Sequence, residues 1–198
     1  MARGPFALPP AQPFTGAGVY ALFYKGNFGP YRRVRSPKSE RAIYVGSAVP
    51  AGSRKGLVEG GKVSGPVLYS RLAHHAGSIS AATNLDLADF TCRYLVVTPL
   101  WITMAERFLI TNFRPIWNLV IEGFGLHDPG KGRHQGEIPW WDSLHPGRTW
   151  AKRLRQTRTA AAAITRLDEW FEMQESHPEA ARKQAERIAD KEVGEARP

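Results

Sequence analysis

AGVYALFY, residues 17–24, and RAIYVGS, residues 41–47, are the two segments of this chain that define its fold. Both are short and rich in β-branched and aromatic residues, which is typical of strands that pack on a core. The sixteen residues between them, 25–40, are too many for a tight hairpin. We therefore expect two strands joined by an excursion loop.

The segments that follow predict two helices and a further strand. Residues 66–80 begin with a proline, which suits a first helical turn, and carry apolar residues at helical spacing. Residues 90–98, FTCRYLVVT, predict a third, buried strand. Pro99 then opens a second helix, which must end before Arg114-Pro115 because a residue that precedes proline disfavours helical geometry.

This order of elements predicts an α+β fold. We expect a small, central, three-stranded, mixed or antiparallel β-sheet flanked by helices, with long loops and a C-terminal helical tail. The chain divides into an N-terminal arm (1–16), a core (17–118), a loop region packed on the core (119–157) and the tail (158–198). The loop region is rich in Gly, Pro, Trp and His, and the tail is interrupted at a His-Pro step.

Composition narrows the class of protein. The chain has 198 residues, a formal net charge of +9 and one cysteine, Cys92. A single cysteine excludes an internal disulfide framework and a zinc site built on paired thiolates. No stretch approaches the ~18 consecutive apolar residues of a membrane span, and the first residues lack the apolar region of a secretory signal. We therefore expect a cytoplasmic protein with a nucleic-acid partner and no membrane partner.

The positive charge is concentrated in the first third of the chain. Residues 1–71 carry eleven Lys or Arg and two Glu, whereas the rest of the chain is close to neutral. Most of these cations lie in two Gly- and Pro-punctuated stretches, 26–41 and 50–65, whose flexibility suits contacts with phosphates. A solubilising surface loop is the alternative interpretation. The predicted DNA contacts in these stretches are Arg32, Arg33, Arg35, Lys38, Arg54, Lys55 and Lys62.

Five features of the core occur in an order that points to a family. They are Gly18-Val19-Tyr20, Tyr44-Val45-Gly46, Arg71 in the first helix, Glu106 in the second helix and Asn118 after it. In this order the chain resembles the GIY-YIG nuclease superfamily, with Val in place of the usual Ile in both tripeptides. The resemblance covers residues 18–118, and it implies an α+β fold that cleaves phosphodiester bonds.

The resemblance also implies a metal and a phosphate clamp. Glu106 matches the family's metal-binding glutamate, so we expect it to hold Mg²⁺ or Mn²⁺. One carboxylate suffices for a cation that keeps several of its waters. Arg71 matches the family's helical arginine, whose rigid guanidinium can clamp a phosphate oxygen.

The remaining catalytic residues are assigned by the same resemblance. Tyr20 is expected to be the base, because a nearby metal and guanidinium would lower the pKa of its phenol. His75 lies one helical turn after Arg71 and fits the histidine of a Type II restriction branch; it would hydrogen-bond Tyr20 or relay its proton. Tyr44 would position the water or the phosphate, although the two tyrosines could exchange roles. Asn118 would orient the substrate or support the site.

Residues 123–148 are too elaborate for a simple connection between elements. They contain the residue types that read guanine and adenine edges in the major groove. The predicted DNA contacts here are Arg133, His134, Gln135 and Arg148. Trp140, Trp141 and Trp150 would anchor the segment. His127 and Asp128, together with His134, leave open a second metal site.

This stretch is similar to the GIY-YIG restriction enzymes that cut GC-rich palindromes. Together the features predict a Mg²⁺-dependent Type II restriction endonuclease of a bacterial or archaeal cell, which hydrolyses both strands of a palindromic, GC-rich site in double-stranded DNA. Because one domain holds one active site, cutting both strands requires a homodimer or a higher homo-oligomer. Two alternatives remain, a structure-specific repair or mobile-element nuclease with the same core and a catalytically silent DNA-binding protein.

Overall fold

The computed structural model describes residues 3–50, 65–130 and 135–194. Its centre is one antiparallel sheet of four strands in the order β1-β4-β2-β3. The strands are β1 (Arg3–Ala7), β2 (Gly18–Tyr24), β3 (Ala42–Ala48) and β4 (Phe90–Val96). The α+β class is confirmed. The sheet has four strands rather than three, because part of the segment predicted as an arm pairs with the edge of β4.

Helices surround this sheet, and the predicted ones are confirmed. They are α1 (Val67–Ala81), α2 (Pro99–Phe113), α3 (Ile116–Leu119), α4 (Trp140–Leu144), α5 (Ala160–Ser176) and α6 (Pro178–Gly194). The excursion loop after β2 contains a short 3-10 helix, Gly29–Val34. In the part of the chain that the structure describes, no helix has the length and apolar character required to cross a membrane.

Both faces of strand β2 contribute to the hydrophobic core, because all seven of its residues are buried. Side chains of a strand alternate between faces. Val19 packs with Ile102 of α2, and Phe23 meets Phe113 of the same helix edge-on, with ring centroids 6.3 Å apart. Tyr20 belongs to the opposite face, where its ring lies against α1. The sheet therefore separates α2 from α1.

The C-terminal tail covers the core. Trp170 and Phe171 of α5 are buried in the main hydrophobic cluster. Helix α6 buries Ala181, Ala185 and Ala189, which recur every four residues and form one narrow face. Helices α2 and α6 pack against each other, and the small alanine side chains permit a close approach.

Helix α2 also presents a second, outward face that is strongly apolar. Four large side chains on it are 54–80% exposed: Leu100, Trp101, Met104 and Phe108. Their spacing of three and four residues places them side by side on the helix. Contiguous exposed apolar side chains of this size mark interaction surfaces more often than ordinary solvent-facing ones.

Candidate active site

The centre of the site is a buried tyrosine–histidine pair. The Tyr20 hydroxyl of β2 lies 2.5 Å from Nε2 of His75 in α1, and both side chains are fully buried. The His75 ring stacks on Phe124 with centroids 4.6 Å apart. The ring of Tyr44 from β3 lies 5.3 Å from the His75 ring. The structure thus brings together three of the predicted catalytic residues.

The two glycines of the tyrosine tripeptides leave the space that this arrangement needs. A Cβ atom on Gly46 would lie 2.4 Å from the Tyr20 hydroxyl oxygen, so the Tyr20 ring crosses β3 only above a glycine. A Cβ atom on Gly18 would lie 2.0 Å from the carbonyl oxygen of Leu95 in the neighbouring strand. Both glycines are therefore required by close packing within the sheet.

Arg71 completes the cluster. Its Nη1 donates to Nε2 of His127 at 2.8 Å, and its Nη2 donates to the Gly125 carbonyl at 3.3 Å. The guanidinium also acts electrostatically on the Tyr20 hydroxyl, and it lowers the pKa of that group against the larger opposing effect of burial. Neither His127 nor Gly125 was predicted to touch Arg71, because the loop that contains them follows it by more than fifty residues.

Glu106 approaches the cluster from α2. Its Oε2 accepts a hydrogen bond from the Ser47 hydroxyl at 2.7 Å. Burial is the main cause of the raised pKa of Tyr20, and the negative charge of Glu106 adds a smaller upward effect. For Arg71, burial lowers the pKa, but Tyr20, Tyr44 and, last, Glu106 raise it. Glu106 is therefore within electrostatic range of both groups. Ser47 is a further residue that sequence reasoning missed, although it directly follows the second tyrosine tripeptide.

Asn118 has a supporting position. It is buried, its Oδ1 accepts from the Val45 backbone N–H at 2.9 Å, and its Nδ2 donates to the Val45 carbonyl at 2.9 Å. Because β3 is an edge strand, the amide of Asn118 satisfies backbone groups that no neighbouring strand reaches. These two hydrogen bonds tie Asn118 to the tripeptide that contains Tyr44.

Burial dominates the electrostatics of the pair. The pKa of Tyr20 is raised above the usual value for a phenol, because desolvation outweighs the opposing effects of the Arg71 guanidinium and the Tyr44 hydroxyl. Arg71 acts in the expected direction, but it does not by itself produce the lowered pKa that we expected. The pKa of His75 is well below its usual value, first through burial and then through Arg71, so the imidazole is neutral.

The Tyr20 hydroxyl and Nε2 of His75 share one hydrogen bond. The positive charge of Arg71, a residue that can only donate hydrogen bonds, favours negative charge on the Tyr20 oxygen and so opposes the effect of burial on its pKa. The other ring nitrogen of His75, Nδ1, is buried and has no hydrogen-bond partner within the described ranges. His75 can accept the Tyr20 proton, but in those ranges no group continues a relay.

Four of the predicted DNA contacts lie on the excursion loop. Arg32, Arg35 and Lys38 are exposed there. Arg33 is already engaged by α5, since it lies 3.5 Å from Glu175 and its guanidinium sits over the Phe171 ring. In the loop region, Gln135 is exposed. Five predicted contacts lie outside the described residues: Arg54, Lys55, Lys62, Arg133 and His134.

The prediction that Arg148 contacts DNA is wrong. Its side chain is buried, and its Nε and Nη2 form a two-pronged ion pair with Asp142 at 2.6 and 2.5 Å. The guanidinium lies between the rings of Trp141 and Trp150, 4.6 and 4.7 Å from their centroids. Arginine in a loop resembles a DNA contact in sequence, but here the tryptophans and Asp142 enclose it.

The second metal site considered above gains no support. His134 lies outside the described residues, His127 is bonded to Arg71, and Asp128 accepts from the Gly130 backbone N–H at 2.8 Å. Across residues 3–50, 65–130 and 135–194, no group of three or more His, Cys, Asp or Glu side chains could hold a metal ion.

The site's geometry agrees with what comparison with known families shows. The family model described as the Eco29kI GIY-YIG domain matches residues 12–170. The chain belongs to this family. It is a family of restriction endonucleases, so the resemblance seen in the tyrosine tripeptides is confirmed. No curated protein matches the chain.

Proposed function

We propose that the protein is a Mg²⁺- or Mn²⁺-dependent Type II restriction endonuclease, which hydrolyses phosphodiester bonds in both strands of a palindromic, GC-rich DNA site in the cytoplasm. The observation that carries this proposal is the convergence of Tyr20, His75 and Arg71 within one cluster, with Glu106 in electrostatic range. We further propose that residues 17–118 form the catalytic core and that residues 119–157 contribute to recognition.

The donor set at Glu106 fits a hard divalent cation. One carboxylate backed by the Ser47 hydroxyl is the arrangement that Mg²⁺ accepts when it keeps several waters and takes a substrate phosphate. We infer that Glu106 is the protein's ligand. A bound Mg²⁺ or Mn²⁺ would neutralise phosphate charge and favour the phenolate form of Tyr20.

The chain's own residues then have defined tasks. Arg71 binds a phosphate oxygen and stabilises charge that develops on it in the transition state. Tyr20 passes its proton to Nε2 of His75, and its oxygen accepts a proton from the attacking water. Tyr44, which also lies beside Arg71, orients the water or the phosphate. Asn118 keeps the Tyr44 strand in register with the cluster through its two hydrogen bonds to Val45.

Replacing the metal ligand tests this function directly. In Glu106→Gln we expect cleavage of plasmid DNA to fall by about 10³-fold or more, because the charge that holds the cation is removed. Binding to the cognate site should remain, since the phosphate contacts are intact. The matched control is Glu122→Gln, at an exposed glutamate that lies 3.8 Å from Arg166. Cutting by Glu106→Gln at the rate of the control would contradict the assignment.

The plasmid products separate the proposed function from its alternatives. Discrete double-strand fragments support a site-specific endonuclease. Nicking restricted to branched substrates would indicate a structure-specific nuclease, and binding without cutting would indicate a catalytically silent protein. The same fragments, mapped by run-off sequencing, identify the recognition site.

We propose that the active form on DNA is a homodimer or a higher homo-oligomer. One domain holds one cluster, and two clusters related by a dyad are needed for the two strands of a palindrome. The exposed apolar face of α2 supports a further protein contact. In a mixture of wild type with excess Glu106→Gln, we expect nicked circles to replace linear DNA. Unchanged linear product would contradict joint action of two copies.

The exposed cations of the excursion loop are the proposed phosphate contacts. Arg32→Ala and Lys38→Ala should each reduce the slope of log affinity against log salt by about one, uniformly across DNA sequences. Lys183→Ala, at an exposed position of α6, is the control. Equal salt slopes for all three variants would assign these residues to the solubilising role instead.

A further inference from the structure

One short loop, residues 123–127, orients the guanidinium of Arg71. His127 accepts from Nη1 and the Gly125 carbonyl accepts from Nη2. A Cβ atom on Gly125 would lie 2.8 Å from the Tyr44 hydroxyl and 3.4 Å from Arg71 Nη2, so only glycine brings this carbonyl so close. The His127 ring is itself packed on His74, with centroids 4.1 Å apart. Arg71 is therefore held on two of its three nitrogens.

Arg148 also holds this loop, through hydrogen bonds to its backbone carbonyl oxygens. Beyond its ion pair with Asp142, Arg148 donates to the carbonyl oxygens of Phe124 and Leu126 through Nη1, at 2.9 and 3.0 Å. Its Nη2 donates to the Gly123 carbonyl at 2.9 Å. Five contacts match the five N–H donors of a guanidinium. The backbone on both sides of Gly125 is thus fixed by one buried side chain.

We propose that the 123–127 loop is a preformed brace for Arg71, with His127 as a positioning residue, and that the buried Arg148–Asp142 pair keeps the brace in place. The inference rests on the proposed function, in which Arg71 clamps a phosphate. A long side chain that is already oriented loses less conformational freedom when it binds. Arg148, predicted from sequence to touch DNA, acts on the clamp through the loop.

The chemistry of the two acceptors supports this role. A backbone carbonyl and a neutral imidazole orient a guanidinium without cancelling its charge, whereas a carboxylate would compete with the phosphate. The pKa of His127 is lowered by partial desolvation of its ring, then by Arg71 and Arg148, so the ring is available as an acceptor near neutral pH. His74, the other titratable group against this ring, also has a lowered pKa. The full charge of Arg71 therefore remains available for DNA.

The test compares His127→Ala with His127→Gln, whose amide oxygen can replace Nε2 as the acceptor. At saturating DNA we expect His127→Ala to lower the single-turnover cleavage rate about ten- to hundredfold, with little change in DNA affinity. His127→Gln should recover most of the rate. In an Arg71→Lys background, His127→Ala should have almost no further effect, because the brace has lost its target.

Arg148→Lys tests the proposed role of the buried Arg148–Asp142 pair, since lysine keeps the charge but loses the five-donor fork. It should show the rate defect of His127→Ala, and the double variant should be no slower than either single variant. Thermal unfolding shows how much of Arg148→Lys is folded. Should it fail to fold, the His127 variants still decide the question, because the His127 side chain is exposed.

A readout independent of activity follows the His127 ring by NMR titration. Arg71→Ala should raise the pKa of His127 towards its ordinary value, because a neighbouring positive charge is lost. Three results would overturn the brace: weaker DNA binding by His127→Ala at an unchanged rate, additive effects with Arg71→Lys, or an unmoved His127 titration. If the wild type cuts no DNA, the proposed function fails, while the titration still decides whether the brace exists.

Discussion

Two buried tyrosine–histidine pairs in this protein use the same hydrogen bond in different surroundings. The Tyr20 hydroxyl lies 2.5 Å from His75 Nε2, and the Tyr31 hydroxyl of the excursion loop is bonded to Nε2 of His145. All four side chains are buried. Burial raises the pKa of both tyrosines and lowers the pKa of both histidines. Taken alone, the two pairs are chemically equivalent.

The second pair belongs to a closed chain of neutral groups. Trp117 Nε1 donates to the Tyr31 oxygen at 2.8 Å, Tyr31 donates to His145, and His145 Nδ1 lies 2.9 Å from Asn84 Oδ1. Asn84 Nδ2 ends the chain at the Leu144 carbonyl, at 3.0 Å. Every polar atom in this hydrogen-bonded network has a partner. The network therefore joins the excursion loop to the core, and none of its groups is placed to transfer a proton.

The first pair differs at both ends. The Tyr20 oxygen is under the electrostatic influence of the cation Arg71, and His75 Nδ1 has no partner among the described residues. A cation at one end stabilises a phenolate, and an unsatisfied ring nitrogen at the other costs free energy. The comparison teaches that a tyrosine–histidine pair is structural or reactive according to the charges around it.

Removing each phenol hydroxyl gives the largest contrast between the pairs. We expect Tyr20→Phe to lower the cleavage rate about 10²- to 10⁴-fold, the usual contribution of a general base. Tyr31→Phe should leave the rate of the folded protein unchanged and lower the free energy of unfolding by about 1–3 kcal/mol, because the Trp117 and His145 nitrogens lose their partner. Single-turnover cleavage and urea denaturation measure the two effects. Equal rate losses in the two variants would break the comparison.

The two pairs also show what sequence could and could not predict. Tyr20, His75 and Arg71 were found because local order along the strands and the first helix reveals a family pattern. The Tyr31–His145 bond joins positions 114 residues apart, and neither residue belongs to a motif. Contacts at that separation depend on how loops fold back on the sheet.

The same limit explains the other differences from prediction. Strands and helices were placed correctly where Pro, Gly and the apolar period determine them locally, as for β2, β3, α1 and α2. Strand β1 was missed because it forms only by pairing with β4, which is more than eighty residues later. Arg148 was misassigned because burial between two tryptophans leaves no local signal, and Ser47, Gly125 and His127 have no pattern of their own.

Acidification should have a smaller effect, which is a decrease in the free energy of unfolding. The pKa of His145 is lowered to about 3, by burial and then by Arg148, whereas the unfolded chain has the ordinary value of about 6.5. The unfolded state therefore binds more protons, and stability decreases as pH falls below about 6.5. From pH 7 to pH 5 we expect His145 to contribute a loss of about 2 kcal/mol.

Denaturation of His145→Gln at the two pH values checks this contribution, because the variant lacks the titrating ring and should lose less stability on acidification than the wild type. His75→Gln should flatten the pH dependence in the same direction, since the pKa of His75 is also lowered. Equal pH dependence in the wild type and His145→Gln would show that His145 is not held neutral.

The smallest expected effect comes from removing the side chain that bonds His145 Nδ1, because His75 Nδ1 in the first pair has no such partner among the described residues. Asn84→Ala removes the acceptor at His145 Nδ1 and the donor to the Leu144 carbonyl. Because position 84 is exposed, water can enter beside the shortened side chain and limit the cost, and we expect a loss of only about 1 kcal/mol in unfolding free energy. Asn84→Asp, which keeps an acceptor, should lose less.

Cleavage should be unchanged in both variants. Without a cation beside Tyr31, the phenolate form of that tyrosine is not stabilised, so His145 does not receive its proton even when Nδ1 has lost its partner. A change in cleavage rate at equal folded fraction would mean that the second pair is coupled to the reaction. The two pairs would then differ in their distance from the DNA rather than in the charges around them.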